Sequence, residues 1–270
     1  MYGFHKFILK HPLLGFFIYL ILLLALLSVD SMLYAVLPDA DAFITDLTAA
    51  AILAFIISYF SVPDYLNKKA VLILNNGANP EELFDVMSIC FNRRLNKRRH
   101  FVFASNYAAA LLEMGRAQEA YNVLYSIKDS KLISKQVFGF VFYDNMSVAC
   151  EELGDFIQAN EWYVKMVLHY NALPRLAVMD WATMHMRLAE IRFDYRHGNF
   201  AAAMKKLDAV NPANLTQDIE KARLTADIAL ALGQKAYAAS AMRYVIAKGN
   251  KLYAVQRCRE KLTELESEGI

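Results

Sequence analysis

The chain has 270 residues and a mass of 30.7 kDa, room for one ordinary domain plus an accessory segment. Its 57% hydrophobic content and mean hydropathy of +0.23 exceed those of a typical soluble domain and exclude disorder as the main state. A net charge of +2 from 29 basic and 27 acidic residues excludes a uniformly basic nucleic-acid binder. Cys90, Cys150 and Cys258 form no CxxC pair, so neither a disulfide framework nor a zinc ribbon is indicated.

From His11 through Asn67 there is no Lys or Arg. Residues 13–29 form a first run of 17 uncharged residues, and residues 47–62 a second of 16. About 20 helical residues cross a hydrocarbon core. Both runs reach that length if Asp30 and Asp46 lie at the lipid–water boundary, next to the connection Pro38-Asp39-Ala40-Asp41. Two helices joined by a tight polar turn satisfy their own backbone groups in lipid. Lys6 and Lys10 precede the first span and Lys68 and Lys69 follow the second, while the connection carries only acids; the positive-inside rule then places both flanks in the cytoplasm. The sequence Ala40-Asp41-Ala42 leaves a cleaved signal peptide as the alternative, although the first run exceeds an ordinary signal core.

Beyond residue 62, apolar positions recur three and four apart, without strand-type alternation. Pro63 is expected to bend or end the second span. A short helix over residues 64–76 then closes at Asn75-Asn76-Gly77, and Asn79-Pro80-Glu81-Glu82 starts the next. Arg93-Arg94-Leu95-Asn96-Lys97-Arg98-Arg99-His100 is the sharpest charge run. Its Arg93, Arg94, Lys97, Arg98 and Arg99 could attract anionic lipid, or serve only as topology determinants on a solvated helix end. Nucleic acid is not expected there, because aromatic residues for base stacking do not interleave the run.

The remainder repeats itself. Phe101-Val102-Phe103-Ala104-Ser105-Asn106 returns as Phe140-Val141-Phe142-Tyr143-Asp144-Asn145, and Ala110, Glu113, Gly115 and Ala120 align with Ala149, Glu152, Gly154 and Ala159. Gly198 and Gly233 head two further copies of this skeleton. All four glycines have alanine five residues on (Ala120, Ala159, Ala203, Ala238) and a bulky residue nine on (Leu124, Tyr163, Leu207, Met242). Glycine permits a turn of positive φ, alanine a close helix approach, and the bulky residue fills the space towards the next unit. The glycine spacings are 39, 44 and 35 residues.

This skeleton resembles the tetratricopeptide repeat, a helix–turn–helix unit of about 34 residues that stacks because one pair cannot bury its apolar face alone. A generic alanine-rich bundle is the alternative. The sequence thus predicts an all-α fold in three parts. Residues 1–62 form a two-helix transmembrane hairpin with spans about 13–37 and 42–62. Residues 63–99 form a helical linker and leading helix pair, and residues 100–270 an α-solenoid of about four repeats. Residues 251–268 resemble a solvent-facing terminal cap.

The resemblance implies a groove lined by the first helix of each repeat that binds a protein or peptide. Ser105, Asn106 and Ala109 would face it from the first unit, Asp144, Asn145 and Val148 from the second, His185 and Arg192 from the third, and Arg223 and Asp227 from the fourth. Asn106 and Asn145 occupy equivalent places, and a pair of amides can hold a peptide backbone. No GxSxG, HExxH, Walker loop or GxGxxG occurs, and the histidines are scattered. The expectation is therefore a bacterial membrane adaptor or assembly factor, not an enzyme, with neither cofactor nor metal. A membrane sensor that captures or releases a cytosolic effector is the alternative.

Overall fold

The computed structural model describes residues 2–33, 40–93, 96–135 and 137–267. Among them the secondary structure is entirely helical, as expected. The chain divides into two compact units, Met1–Ala70 and Val71–Ile270.

In the first unit, α1 (Tyr2–Lys10) leads into α2 (Pro12–Leu33), which packs against α3 (Ala40–Ile56) and the π-helical turn Ile57–Ser61. The sequence reading did not foresee α1. It lies on α2 with Ile8 and Leu9 buried, and so closely that a Cβ on Gly15 would come within 2.3 Å of Ile8. The outer faces of α2 and α3 stay apolar: Leu13, Phe17, Ile21, Leu26, Ile52 and Phe55 are all exposed. Pro38 and Asp39 lie outside the described residues, as do the side chains of Asp30, Asp41 and Asp46.

Pro63 does not end the second apolar helix. It occupies the second position of α4 (Val62–Gly77), and the π turn before it carries Val62 N–H to Ile57 O. The wider turn absorbs a residue that has no N–H to give. The continuous run Leu47–Gly77 is thus 31 residues long and holds an 18-residue stretch of mean hydropathy 1.6, long and apolar enough to cross a membrane, and Pro12–Leu26 is a shorter apolar helix. The helix stops after Gly77, with Ala78 rather than a glycine at positive φ (49°).

The second unit continues with α5 (Pro80–Phe91), for which Asn79 stands at the N-cap without a side-chain cap bond. Four helix hairpins follow: α6 (Lys97–Glu113) with α7 (Ala117–Ser126), α9 (Val137–Glu152) with α10 (Phe156–Ala172), α12 (Asp180–Arg196) with α13 (Phe200–Asp208), and α14 (Leu215–Ala231) with α15 (Lys235–Lys248). Single turns α8 (Leu132–Lys135) and α11 (Pro174–Ala177) join the first to the second and the second to the third. The last helix is α16 (Tyr253–Ser267).

All four hairpins turn in the same way. Gly115, Gly154, Gly198 and Gly233 have φ between 73° and 78°. The following N–H reaches five residues back: Arg116 to Leu111, Asp155 to Cys150, Asn199 to Asp194 and Gln234 to Ala229, at 2.8–2.9 Å. This is the Schellman closure, which needs a left-handed residue and satisfies carbonyls that a helix end would otherwise orphan. The alanine five residues past each glycine is fully buried, and the bulky residue nine past is buried too. Each core cluster joins a hairpin to the next first helix, as Ala104, Ala108 and Leu111 of α6 and Leu124 of α7 do with Phe142 and Met146 of α9. Ser147 of α9 adds a buried hydrogen bond of 2.9 Å to Ala159 O of α10, across the second hairpin.

The second unit also closes on itself. The carbonyls at the end of α4 are taken by Thr216 of α14 and by the connection between α15 and α16: Thr216 Oγ1 donates to Leu74 O (2.7 Å), Asn250 Nδ2 to Gly77 O (2.8 Å) and Lys251 N to Ala78 O, just past the helix (3.2 Å). Lys251 also pairs with Glu81. Nor is α16 only a cap towards solvent. One face buries Val255, Cys258 and Leu265, while Tyr253 stands against Gly115, and Arg257 and Lys261 pair with Glu152 and Asp227. Arg257 and Lys261 thus engage α9 and α14, while Arg259, Glu260, Glu264 and Glu266 face solvent as the cap reading expects.

Candidate functional site: a charged cavity between first helices

The first helices of the four hairpins face one cavity of about 450 Å³. Asn106, Ala109, Leu112 and Glu113 reach it from α6, Asp144, Asn145 and Val148 from α9, His185 and Arg192 from α12, and Glu220 and Arg223 from α14. Leu74 of α4 and Leu83 of α5 close one side, and Tyr253 and Arg257 of α16 another. Phe140 and Trp181 add an aromatic wall.

Ion pairs chain the charged side chains across four helices. Asp144 accepts from Arg192 at 2.9 Å and His185 Nδ1 lies 2.7 Å from it. Arg192 also approaches Glu220 (3.5 Å) and Glu151 (3.8 Å). Arg223 bonds Glu220 and Asp227 (2.7 and 3.0 Å), Asp227 meets Lys261 at 2.5 Å, Glu152 meets Arg257 at 2.7 Å, and Glu151 pairs with Arg196. Burial opposes ionisation of Asp144 most strongly, but the His185 hydrogen bond and the Arg192 charge outweigh it and hold the carboxyl below its ordinary value. Glu220 is likewise held low, burial being offset by Arg223 and Arg192.

Glu113 behaves in the opposite way. It lines the cavity and is half-buried there. Desolvation first, and then the charges of Glu220 and Glu152, push its pKa up to about 7 against the pull of Arg223 and Arg192. Among the described residues it makes no ion pair.

The structure sorts the residues expected from sequence. Asn106, Ala109, Asp144, Asn145, Val148, His185, Arg192 and Arg223 line one space. Ser105 does not: it is buried and its hydroxyl donates to Phe101 O of its own helix at 2.9 Å. The two asparagines are not an equivalent free pair, since Asn145 Nδ2 donates to Ser105 O (3.2 Å) and ties α9 to α6. Asp227 lines an adjoining cavity of about 410 Å³ with Arg196 and Lys261. In the basic run, Arg94 lies outside the described residues, Arg93 and Arg99 are half-buried, and Lys97 and Arg98 are exposed. Arg98 lies over the Phe138 ring at 5.5 Å, and Asn96 caps α6 by accepting from Arg99 N.

The sequence reading missed Glu113, Glu151, Glu152, Glu220, Trp181 and the α16 residues. One signal was present: Glu113 and Glu152 both stand two residues before a turn glycine. All three cysteines are buried, and burial raises the Cys150 thiol to about 11, which suits packing rather than reactivity. Among the described residues no cluster of His, Cys, Asp or Glu is suited to a metal ion.

No protein-family model, no curated protein and no solved structure matches the chain.

Proposed function

We propose that the chain is a membrane-anchored adaptor or assembly factor, whose tetratricopeptide-like repeat unit binds a segment of another protein at the cytoplasmic face. The observation that carries this reading is the cavity itself. It is lined from the same side of four successive first helices, where an α-solenoid presents its binding surface. A volume of about 450 Å³ lies in the range of sites for small ligands or side chains.

The anchor is a hairpin of two spans, α2 and the helix that begins at α3. Their exposed faces carry large apolar residues that water does not favour, which supports lipid as their surroundings. Lysines on both flanks and acids in the connection orient the repeat unit to the cytoplasm. Anchoring raises the effective concentration of the cavity for partners already at the bilayer, with Lys97 and Arg98 available to anionic head groups. The chemistry of the site is recognition rather than catalysis.

Fractionation tests the placement. The full chain should sediment with membranes, resist alkaline carbonate extraction, and expose a C-terminal tag to protease only after the cells are opened. Recovery in the aqueous fraction, or cleavage of the tag on intact cells, overturns the reading.

A further inference from the structure

Each carboxylate that lines the cavity has a basic partner except one. Arg192 and His185 hold Asp144, Arg223 and Arg192 hold Glu220, Arg196 holds Glu151, and Arg257 holds Glu152. Glu113 is left over. The charges it faces are Glu152 on α9, Arg192 on α12, and Glu220 and Arg223 on α14, and both arginines already serve other acids. Across the lining, five carboxylates stand against three arginines, before His185 is counted.

A carboxylate kept close to protein atoms without a counter-ion is costly, and a cation brought to it removes that cost. An anion would meet the acid excess. The rings of Phe140, Trp181 and Tyr253 border the same space and can receive an apolar stem and a cation over a π face. The volume admits a long side chain and the backbone that carries it, not a folded domain.

We infer that the cavity binds a protonated amine or guanidinium on an apolar stem, the end of a Lys or Arg side chain in a partner polypeptide, with Glu113 as its counter-ion. That a polypeptide carries the cation rests on the adaptor reading; the charge of the ligand does not. Glu113 has to ionise to receive the cation, and with its pKa near 7 binding releases a proton at neutral pH. Affinity therefore rises with pH, by about tenfold between pH 6 and pH 8, and levels off above. Asp144 and Glu220, held low by their arginines, stay ionised throughout that window.

Titration calorimetry on the full chain in lipid nanodiscs, in two buffers of different ionisation enthalpy, tests this. The probes are blocked alanine pentapeptides with a central Lys, Arg, Gln or Glu, and free agmatine. The Lys and Arg peptides should bind with proton uptake by the buffer at pH 7, and the Gln and Glu peptides should not bind. Glu113→Gln should weaken the Lys peptide by about tenfold or more at pH 8 and abolish the proton release. If that variant fails to fold, proton release by the natural chain still decides. The inference is overturned by a Gln or Glu peptide binding as well as Lys, by no proton release, or by no cationic probe binding up to millimolar concentration. Full pH dependence in Glu113→Gln would assign the titration to another group and also overturn it. Agmatine binding as tightly as the Arg peptide would keep the cation site and remove the polypeptide reading. A partner captured equally by Glu113→Gln would keep the polypeptide reading and remove the cation site.

Discussion

Replacing Arg192 by alanine should destabilise the repeat unit by about 3–5 kcal/mol, the usual cost of stripping one partner from a buried ion pair. Arg192 and Asp144 are both buried, and the guanidinium also stands within 4 Å of Glu151 and Glu220. Its removal leaves three carboxylates from α9 and α14 facing one another without it. The loss should appear as a lower urea midpoint by fluorescence of Trp162 and Trp181. The sign of the pH effect is fixed by the depressed carboxyls. Asp144 and Glu220 lie below their ordinary values when folded, so they contribute stability above the unfolded pKa of about 4 and lose it as pH falls through the folded value. The penalty of the variant should therefore shrink on acidification. A double replacement of Asp144 and Arg192 by leucine should cost less than the two alanine variants summed, because no charge is then left buried without its partner. An effect below 1 kcal/mol for Arg192→Ala would mean that the pairs are solvent-screened and set little of the hairpin spacing.

The second large effect concerns Gly115. All four turn glycines need positive φ, which costs an alanine about 1–2 kcal/mol. At Gly154, Gly198 and Gly233 nothing lies within 4 Å of an added Cβ, but at Gly115 it would stand 2.6 Å from the Tyr253 ring. Gly154→Ala should thus cost the conformational term alone. Gly115→Ala should add an overpacking term, for a total of about 2–4 kcal/mol. The excess belongs to the seat of α16, so Tyr253→Ala should remove it in the double variant. Equal costs at Gly115 and Gly154 would show that α16 does not rest on the first hairpin.

These two positions mark what the sequence could and could not reveal. The turns were legible, since glycine, alanine and a bulky residue at fixed offsets encode a local backbone solution that each hairpin carries within itself. The closure of the unit was not. Thr216, Asn250 and Lys251 bond carbonyls at or just past the end of α4 that lie 142–173 residues earlier, and no local pattern announces such a partner. The pairs that Arg257 and Lys261 of α16 make with Glu152 and Asp227 are hidden for the same reason: amphipathicity reports which side is polar, not what that side meets. Pro63 is expected to bend or end the span because a proline disrupts a regular α ladder, and the π turn Ile57–Ser61 is a repair invisible in composition. The site was legible in part, because helix register places Asn106, Asp144, His185, Arg192 and Arg223 on one side. Their availability was not, as Asn145 is spent on Ser105 O and Asp144 on Arg192. Glu113 was visible only as the twin of Glu152, and their difference, one paired with Arg257 and one left over, exists only in three dimensions.

The most direct test of the account is site-specific photocrosslinking of the full chain in intact cells. A benzophenone side chain replaces either Val148, which lines the cavity, or Ile157, 77% exposed on the second helix of the same hairpin. The account predicts a discrete polypeptide adduct from position 148, suppressed by excess Lys pentapeptide, and none from position 157. Adducts from position 157 with none from position 148 would contradict it, by placing the working surface on the outer face of the repeats.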